Sequence, residues 1–317
     1  MANRSTIIGA AVFLLAAVLA PLLPDWVVSL MAIAFANALV VLGLIVLWRA
    51  GLVSFGQALY YCIGAYIVAL SGRWINFTDG VVLVLLAGLF SGFTAFLVGF
   101  LIARYREIFF AMLSLALSMI LYGVLVKTES LGSTDGFSVA TPTFAGYAPH
   151  GEMLNLALYW LTLAACAASA LAVGIYFRSI AGALAAPVRD NEIRVEFLGV
   201  SVTNVIHTKL VIAGTLAGLG GALAALIIGH VDPNMAYWTT SGGFVFVAIL
   251  AGAGSVAAAF VGSLVFEAIR SFAVAMLPEF WQMMLGSVLL LTILFVPDGL
   301  GSLATRLRRK PREVQPQ

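Results

Sequence analysis

The sequence predicts an all-α membrane protein, a polytopic helical bundle of about ten transmembrane helices with both termini in the cytoplasm. Three observations lead there. Of 317 residues, 62% are hydrophobic and 9% charged, whereas a soluble domain carries about 25% charged residues. The mean hydropathy of +1.09 would leave a soluble fold with far more exposed apolar surface than water tolerates. Apolar runs also recur from end to end, leaving no stretch in which a soluble domain would fit. The chain therefore reads as one membrane domain over 1–302 and a basic cytoplasmic tail over 303–317.

Crossing a bilayer takes about 20 mostly apolar residues. The first such run, 7–23, follows Arg4 and has no small-x-small cleavage site after it, so it is expected to be a retained helix rather than a signal peptide. The second, 27–48, lies between Asp25 and Arg49; the third, 55–71, leads past Arg73 to Asp79; the fourth, 81–103, ends on Arg104 and Arg106. The fifth, 108–126, opens a long loop over 127–156 that holds Lys127, Glu129, Asp135 and Glu152. The sixth, 157–177, is followed by a second long loop, 178–208, with Arg178, Arg189 and Arg194, and Lys209 closes that basic cluster. The seventh, 209–230, precedes Asp232, and runs at 243–252, 256–277 and 282–297 follow before Arg306, Arg308, Arg309, Lys310 and Arg312.

Lys and Arg in short loops mark the cytoplasmic side. The basic clusters alternate with the acidic loops only if both termini are inside, which requires an even number of crossings. The run at 243–252 is short for a span and reads as a half helix or one extended to Ser241; the charge pattern nevertheless requires it to count as a crossing. Glycines fall within the runs, at Gly88, Gly92 and Gly99 and at Gly214, Gly218, Gly220 and Gly221. Lipid tails are as apolar as leucine, so helices in a bilayer associate through close backbone contact, and these positions predict a dense bundle.

Nucleotide chemistry is excluded by the usual route. No G-x-x-x-x-G-K-[ST] loop occurs, and none of Lys127, Lys209 and Lys310 follows a glycine-rich turn. No cofactor is expected on this chain. His150, His207 and His230 form no H-x-x-x-H or H-E-x-x-H arrangement, and Cys62 and Cys166 sit singly in apolar runs as expected reduced, buried thiols. A net charge of +2 gives no reason to expect nucleic acid as a partner.

The loop 178–208 carries the most information. Proline is tolerated at a helix start and glycine at its end, so a short helix is expected between Pro187 and Gly199. Asp190 and Arg194 are spaced i,i+4 in the favourable order, and Ile193 and Phe197 form an apolar ridge on an otherwise charged helix. Such a helix suits a groove on a soluble partner; a solvated connector lying on lipid headgroups is the other reading of the same residues.

R-D-N-E at 189–192, followed by L-G-V at 198–200, resembles the LivM-type permeases of branched-chain amino acid ABC transporters. G-L-V-S-F-G-Q-A at 51–58, G-A-Y at 64–66, F-F-A-M-L-S-L-A at 109–116, T-D-G-F at 134–137, G-A-G-S at 252–255 and V-P-D-G-L at 296–300 are similar to that family's motifs and stand in its order. The resemblance implies an importer subunit moving branched-chain amino acids or related small solutes by alternating access. It further implies two ATPase subunits that hydrolyse ATP, a second homologous permease subunit, an extracytoplasmic substrate-binding protein, and a place in the bacterial inner membrane among lipid. Coupling to the ATPase would fall to Arg189, Asp190, Asn191, Glu192, Ile193, Phe197 and Gly199. The chain departs from the family at Glu107, where glycine is frequent, at Ala251 and Ala259, and at the glycine-poor turn Leu131-Gly132-Ser133.

Polar groups inside a bilayer are costly and usually face a cavity or a partner. Asn37, Gln57, Ser114, Ser118 and Glu267 are the candidates for a translocation path, and Asp135 for its outer entrance. Ser114 and Ser118 share a helix face, where bonding back to their own helix is the alternative; Asn37 and Gln57 are expected to bond across helices. Glu267 stands three residues before Arg270, a spacing that favours a structural ion pair over a proton relay. An ion-gradient-driven secondary transporter would need intramembrane carboxylates, often in inverted repeats. The only internal echo is Gly51-x-x-Ser54 with Gly252-x-x-Ser255, both at expected cytoplasmic turns, which suggests a parallel repeat.

Overall fold

The structure, a computed structural model, describes residues 16–17, 20–252, 255–276, 278–295 and 299. Most of the run at 7–23, most of V-P-D-G-L and the whole basic tail lie outside the described residues. Helices α1 (Asp25–Trp48), α2 (Gln57–Leu70, continued by a π turn Ser71–Ile75), α3 (Gly80–Ile102), α4 (Glu107–Lys127) and α5 (Glu152–Arg178) come first. Three short helices follow, α6 (Ile180–Ala183), α7 (Ala185–Asp190) and α8 (Glu192–Phe197). Then come α9 (Val202–Ile228), α10 (Trp238–Ala251), α11 (Val256–Met276) and α12 (Trp281–Phe295).

Every apolar run expected from residue 27 onward coincides with one of these helices. Among the described residues, 7 helices are long and apolar enough to cross a membrane, counting α2 with its π turn, and α10 and α12 are shorter apolar helices. The chain is an all-α polytopic membrane protein. At about 1.5 Å per residue, the 14 residues of α10 reach about 21 Å, short of a hydrocarbon core of about 30 Å.

The bundle is organised around α9, which packs most extensively on α3, α1 and α2. Glycine makes this possible. Gly64 of α2 lies directly against Gly218, and Gly221 lies on the Tyr61 carbonyl; a Cβ at either place would strike backbone. Close contact between backbones, rather than hydrophobic exclusion, is what holds helices together in lipid. Around this centre the side chains of α1 from Ala38 to Leu47 are almost wholly removed from the surface. Cys62 and Cys166 are both buried and free.

At one end of the bundle, β1 (Phe137–Ser138) pairs antiparallel with β2 (His230–Val231) and ties the loop after α4 to the end of α9. Asp79 caps α3: one carboxylate oxygen accepts from Val81 N and Val82 N at 3.1 Å, and the other accepts from Ala145 N at 3.0 Å. These backbone donors, Val82 first, hold the carboxyl below its ordinary range.

The cytoplasmic loop corrects one expectation. The single helix expected between Pro187 and Gly199 is two, α7 and α8, broken at Asn191, and Pro187 is the third residue of α7 rather than its start. Asn191 has extended backbone (φ −162, ψ 98), and its side-chain oxygen accepts from Arg194 N at 3.0 Å, which starts a new helix there. The break removes the expected Asp190–Arg194 pair; Asp190 instead lies 3.7 Å from its neighbour Arg189. Lys209 is also not a loop residue. It lies in the second turn of α9, fully buried, with Nζ donating to the Tyr176 hydroxyl at 3.1 Å.

The glycine–serine echo has a structural counterpart. Gly51 and Gly252 both adopt φ +78, and Ser54 and Ser255 each accept a backbone N–H at the start of the following helix, from Gly56 at 3.2 Å and Ala258 at 3.3 Å.

Candidate functional site

Two non-helical segments meet beside the middle of α4. One is the turn Ser54–Gly56 leading into α2; the other is Asp232–Tyr237, which includes a 3-10 turn (Pro233–Ala236) leading into α10. Ser114 Oγ accepts from Phe55 N at 3.1 Å and donates to its own helix at Ala111 O at 2.8 Å. Ser118 Oγ donates across to Ala236 O at 2.8 Å. Ser241, in the first turn of α10, accepts from Ala58 N at 3.0 Å and so brings the N-termini of α2 and α10 together.

Ser114 and Ser118 lie roughly 10 and 16 Å along α4 from its first residue. Irregular backbone at such depth is tolerated only where it is buried in protein or lines a cavity, because hydrocarbon offers no hydrogen bonds. Here the serines supply them. The junction is buried: Ser54, Gln57, Ser118 and Ser241 have no exposed surface. Within it Gln57, the first residue of α2, has neither amide atom hydrogen-bonded among the described residues.

Of the expected path residues, the structure thus brings together Gln57, Ser114 and Ser118. Ser114 does bond back to its helix but also holds Phe55, and Ser118 bonds outward only. Among the described residues the expected cross-helix bonds of Asn37 and Gln57 are not found: Asn37 Oδ1 is buried without a partner, as is the whole Gln57 amide. Asn37 and Glu267 lie on α1 and α11, which pack on each other, and no hydrogen bond joins either to the junction. Glu267 makes the i,i+3 contact with Arg270, Nη1 to Oε1 at 3.6 Å. Asp135 is exposed on the outer turn and accepts from Thr134 Oγ1 at 3.2 Å. Ser54 and Ser241 were not anticipated; the first stands inside the G-L-V-S-F-G-Q-A motif, but nothing in the sequence pairs the second with Ala58.

The loop between α5 and α9 presents a different chemistry. Ile193 is 68% exposed, Phe197 88% and Leu198 78%, while Val195 between them is buried. Asn191, Arg194 and Gly199 surround this ridge, and Gly199 (φ +82) ends it. Glu192 points inward. Arg106 Nε donates to its two carboxylate oxygens at 2.7 and 2.8 Å, and Arg106 Nη1 donates to Ala103 O at 2.6 Å and Tyr105 O at 2.9 Å. Sequence reading had used Arg106 only as a marker of sidedness. No group of three or more His, Cys, Asp or Glu able to hold a metal occurs among the described residues.

The chain is similar to two curated proteins, each described as high-affinity branched-chain amino acid transport system permease protein LivM. That of Salmonella typhimurium strain LT2 is 27% identical over 292 residues, covering 82% of this chain and 67% of the relative. That of Escherichia coli K12 is 26% identical over 292 residues, with the same coverage. No solved structure gives a significant match. The family model described as branched-chain amino acid transport system / permease component matches residues 26–294. That span takes in both the intramembrane junction and the cytoplasmic ridge, and the chain belongs to that permease family.

Proposed function

We propose that this chain is a transmembrane subunit of an ABC importer for branched-chain amino acids or related small solutes, working in the bacterial inner membrane. Its permease domain spans 1–302 in ten crossings, the short helix α10 counting as one, and the tail 303–317 lies in the cytoplasm with the N-terminus. Two ATPase subunits hydrolyse ATP, a second homologous permease completes the pair, and an extracytoplasmic binding protein delivers substrate near Asp135. The path runs past Gln57, Ser114 and Ser118, with Asn37 and Glu267 shaping the neighbouring helices.

The observation that carries this reading is the ridge of Ile193, Phe197 and Leu198 on the cytoplasmic loop. Large apolar side chains this exposed, on a helix anchored from beneath, suit insertion into a groove of a soluble partner. Arg189, Asp190, Asn191 and Gly199 frame that contact, and Glu192 anchors it from the inside. A path for amino acids with aliphatic side chains needs few polar groups, and the serines of the junction already spend theirs on backbone.

The test is uptake of radiolabelled leucine into proteoliposomes holding this chain, its candidate second permease and the ATPase subunits, with binding protein outside and ATP on the cytoplasmic side. Uptake is expected to require both ATP and binding protein. Phe197→Ala is expected to lower it by about tenfold or more, the loss of a central interface aromatic, without changing the amount inserted. Uptake driven by an imposed ion gradient without ATPase subunits would overturn the proposal. Ligand-stimulated ATP hydrolysis with urea or a short amide, but not with leucine, would change only the cargo.

A further inference from the structure

The ridge on α8 and the junction beside α4 are separate sites, and among the described residues one ion pair leads from α8 to the residue that caps α4. α4 is attached to the rest of the bundle by a single stripe. Its buried residues are Phe110, Ser114, Ser118 and Leu125, spaced so that they fall on one face of a helix. Two of those four are the serines that hold the backbone of the two broken segments. At the cytoplasmic end, Phe110 shares an apolar cluster with Val195 of α8.

Arg106 is the residue immediately before α4. Its guanidinium is anchored to the corner by the carbonyls of Ala103 and Tyr105 and to the first residue of α8 by both oxygens of Glu192. The side chains are only 26% and 36% exposed, so the pair is partly shielded from solvent and from salt. A charge-assisted contact of this kind is short and directional; a displacement of α8 is passed to the first turn of α4 rather than absorbed in a flexible link. A second contact runs parallel to it. Arg189 of α7 lies against Gly51, where an added Cβ would come within 2.9 Å of Arg189 Cγ, and Gly51 opens the segment that carries Ser54 into the junction.

We propose that the Arg106–Glu192 pair is the link through which movement of α8 reaches α4 and the serine-held junction, so that it couples ATP turnover to substrate movement. This rests on the importer reading above. A pair that only secured the loop would affect how much protein inserts or how fast the whole machine turns. A transmission pair governs how much substrate crosses per ATP hydrolysed, and that ratio is what the experiment reads.

In the reconstituted full complex, leucine uptake and ATP hydrolysis are measured side by side for the wild type, Glu192→Gln, Arg106→Gln and the double variant. Glu192→Gln keeps the shape of the side chain and removes only its charge, leaving the carbonyl bonds of Arg106 in place. It is expected to lower leucine transported per ATP by about tenfold. The double variant is expected to be no worse than Arg106→Gln alone, the non-additivity that two residues acting through one contact must show. An unchanged ratio in Glu192→Gln, effects that multiply in the double variant, or equal loss of uptake and hydrolysis would each overturn the link. Wild-type complex that takes up no leucine with ATP, but hydrolyses it normally on ligand addition, would instead strike at the cargo, and the same ratio is then read with the ligand that stimulates hydrolysis. Absence of any ATP dependence in the wild type would sink the importer reading and the link with it.

Discussion

Gln57 concentrates the conflict between stability and use at the scale of one residue. Its side chain is fully buried and both amide atoms lack a partner among the described residues, a condition that costs about 1–3 kcal/mol relative to a satisfied or apolar group. Glutamine and leucine are similar in size. Gln57→Leu is therefore expected to raise the thermal unfolding temperature in detergent and to lower leucine uptake sharply, a trade typical of binding sites. A variant that is both more stable and fully active would remove Gln57 from the path. Asp79 makes the opposite case, a polar group with every interaction made. Its folded pKa is depressed by Val82 N–H, Ala145 N–H and Val81 N–H. It therefore stabilises the outer loop above the unfolded carboxylate value of about 4, and that contribution is lost as pH falls through the folded value. Hydrogen exchange at Ala145 is expected to show protection at neutral pH that fades on acidification. Asp79→Asn, which keeps the helix cap but loses the second carboxylate oxygen, is expected to show little protection at either pH; equal protection in the variant would contradict the assignment.

The corner between α3 and α4 shows how an element is positioned. Glu107, the first residue of α4, has φ +49, a left-handed conformation that costs an ordinary L-residue about 1–2 kcal/mol. It stands where the resemblance places a frequent glycine, so the departure seen in the sequence and the unusual backbone are one fact. The corner holds because Arg106 next to it is fastened to Ala103 O, Tyr105 O and Glu192. Glu107→Gly is expected to raise stability by about 1 kcal/mol, read as a higher unfolding temperature without loss of insertion. A destabilised glycine variant would mean that the side chain, and not the turn, sets the corner. The cytoplasmic loop carries a related lesson about helix ends. Pro187 suggested a helix start but lies inside α7, and Asn191, an N-cap residue by chemistry, divides the segment into α7 and α8.

Over the whole molecule, much was legible before any coordinates. Composition and run length identified an all-α membrane bundle because a chain in lipid must satisfy its backbone within each segment, and a helix does so locally. Glycines at Gly218 and Gly221 announced close packing for the same reason: Cβ-free contact depends on residue type alone. The exposed ridge of Ile193 and Phe197 followed from i,i+4 spacing. What sequence could not show was which polar groups meet. Ser241 is 183 residues from the Ala58 N–H it accepts from, Ser118 is 118 from Ala236, and Arg106 is 86 from Glu192. No local period encodes such pairings. Asn37 and Gln57, expected to bond across helices, make no such bond among the described residues. The sequence by itself thus determined the class of fold, the helices and the apolar ridge of Ile193 and Phe197, all of which rest on local chemistry. Only the tertiary structure decided that two broken segments converge beside α4, and that Arg106 joins this helix to the cytoplasmic ridge. Those are contacts between distant parts of the chain, and they exist only once the bundle has packed.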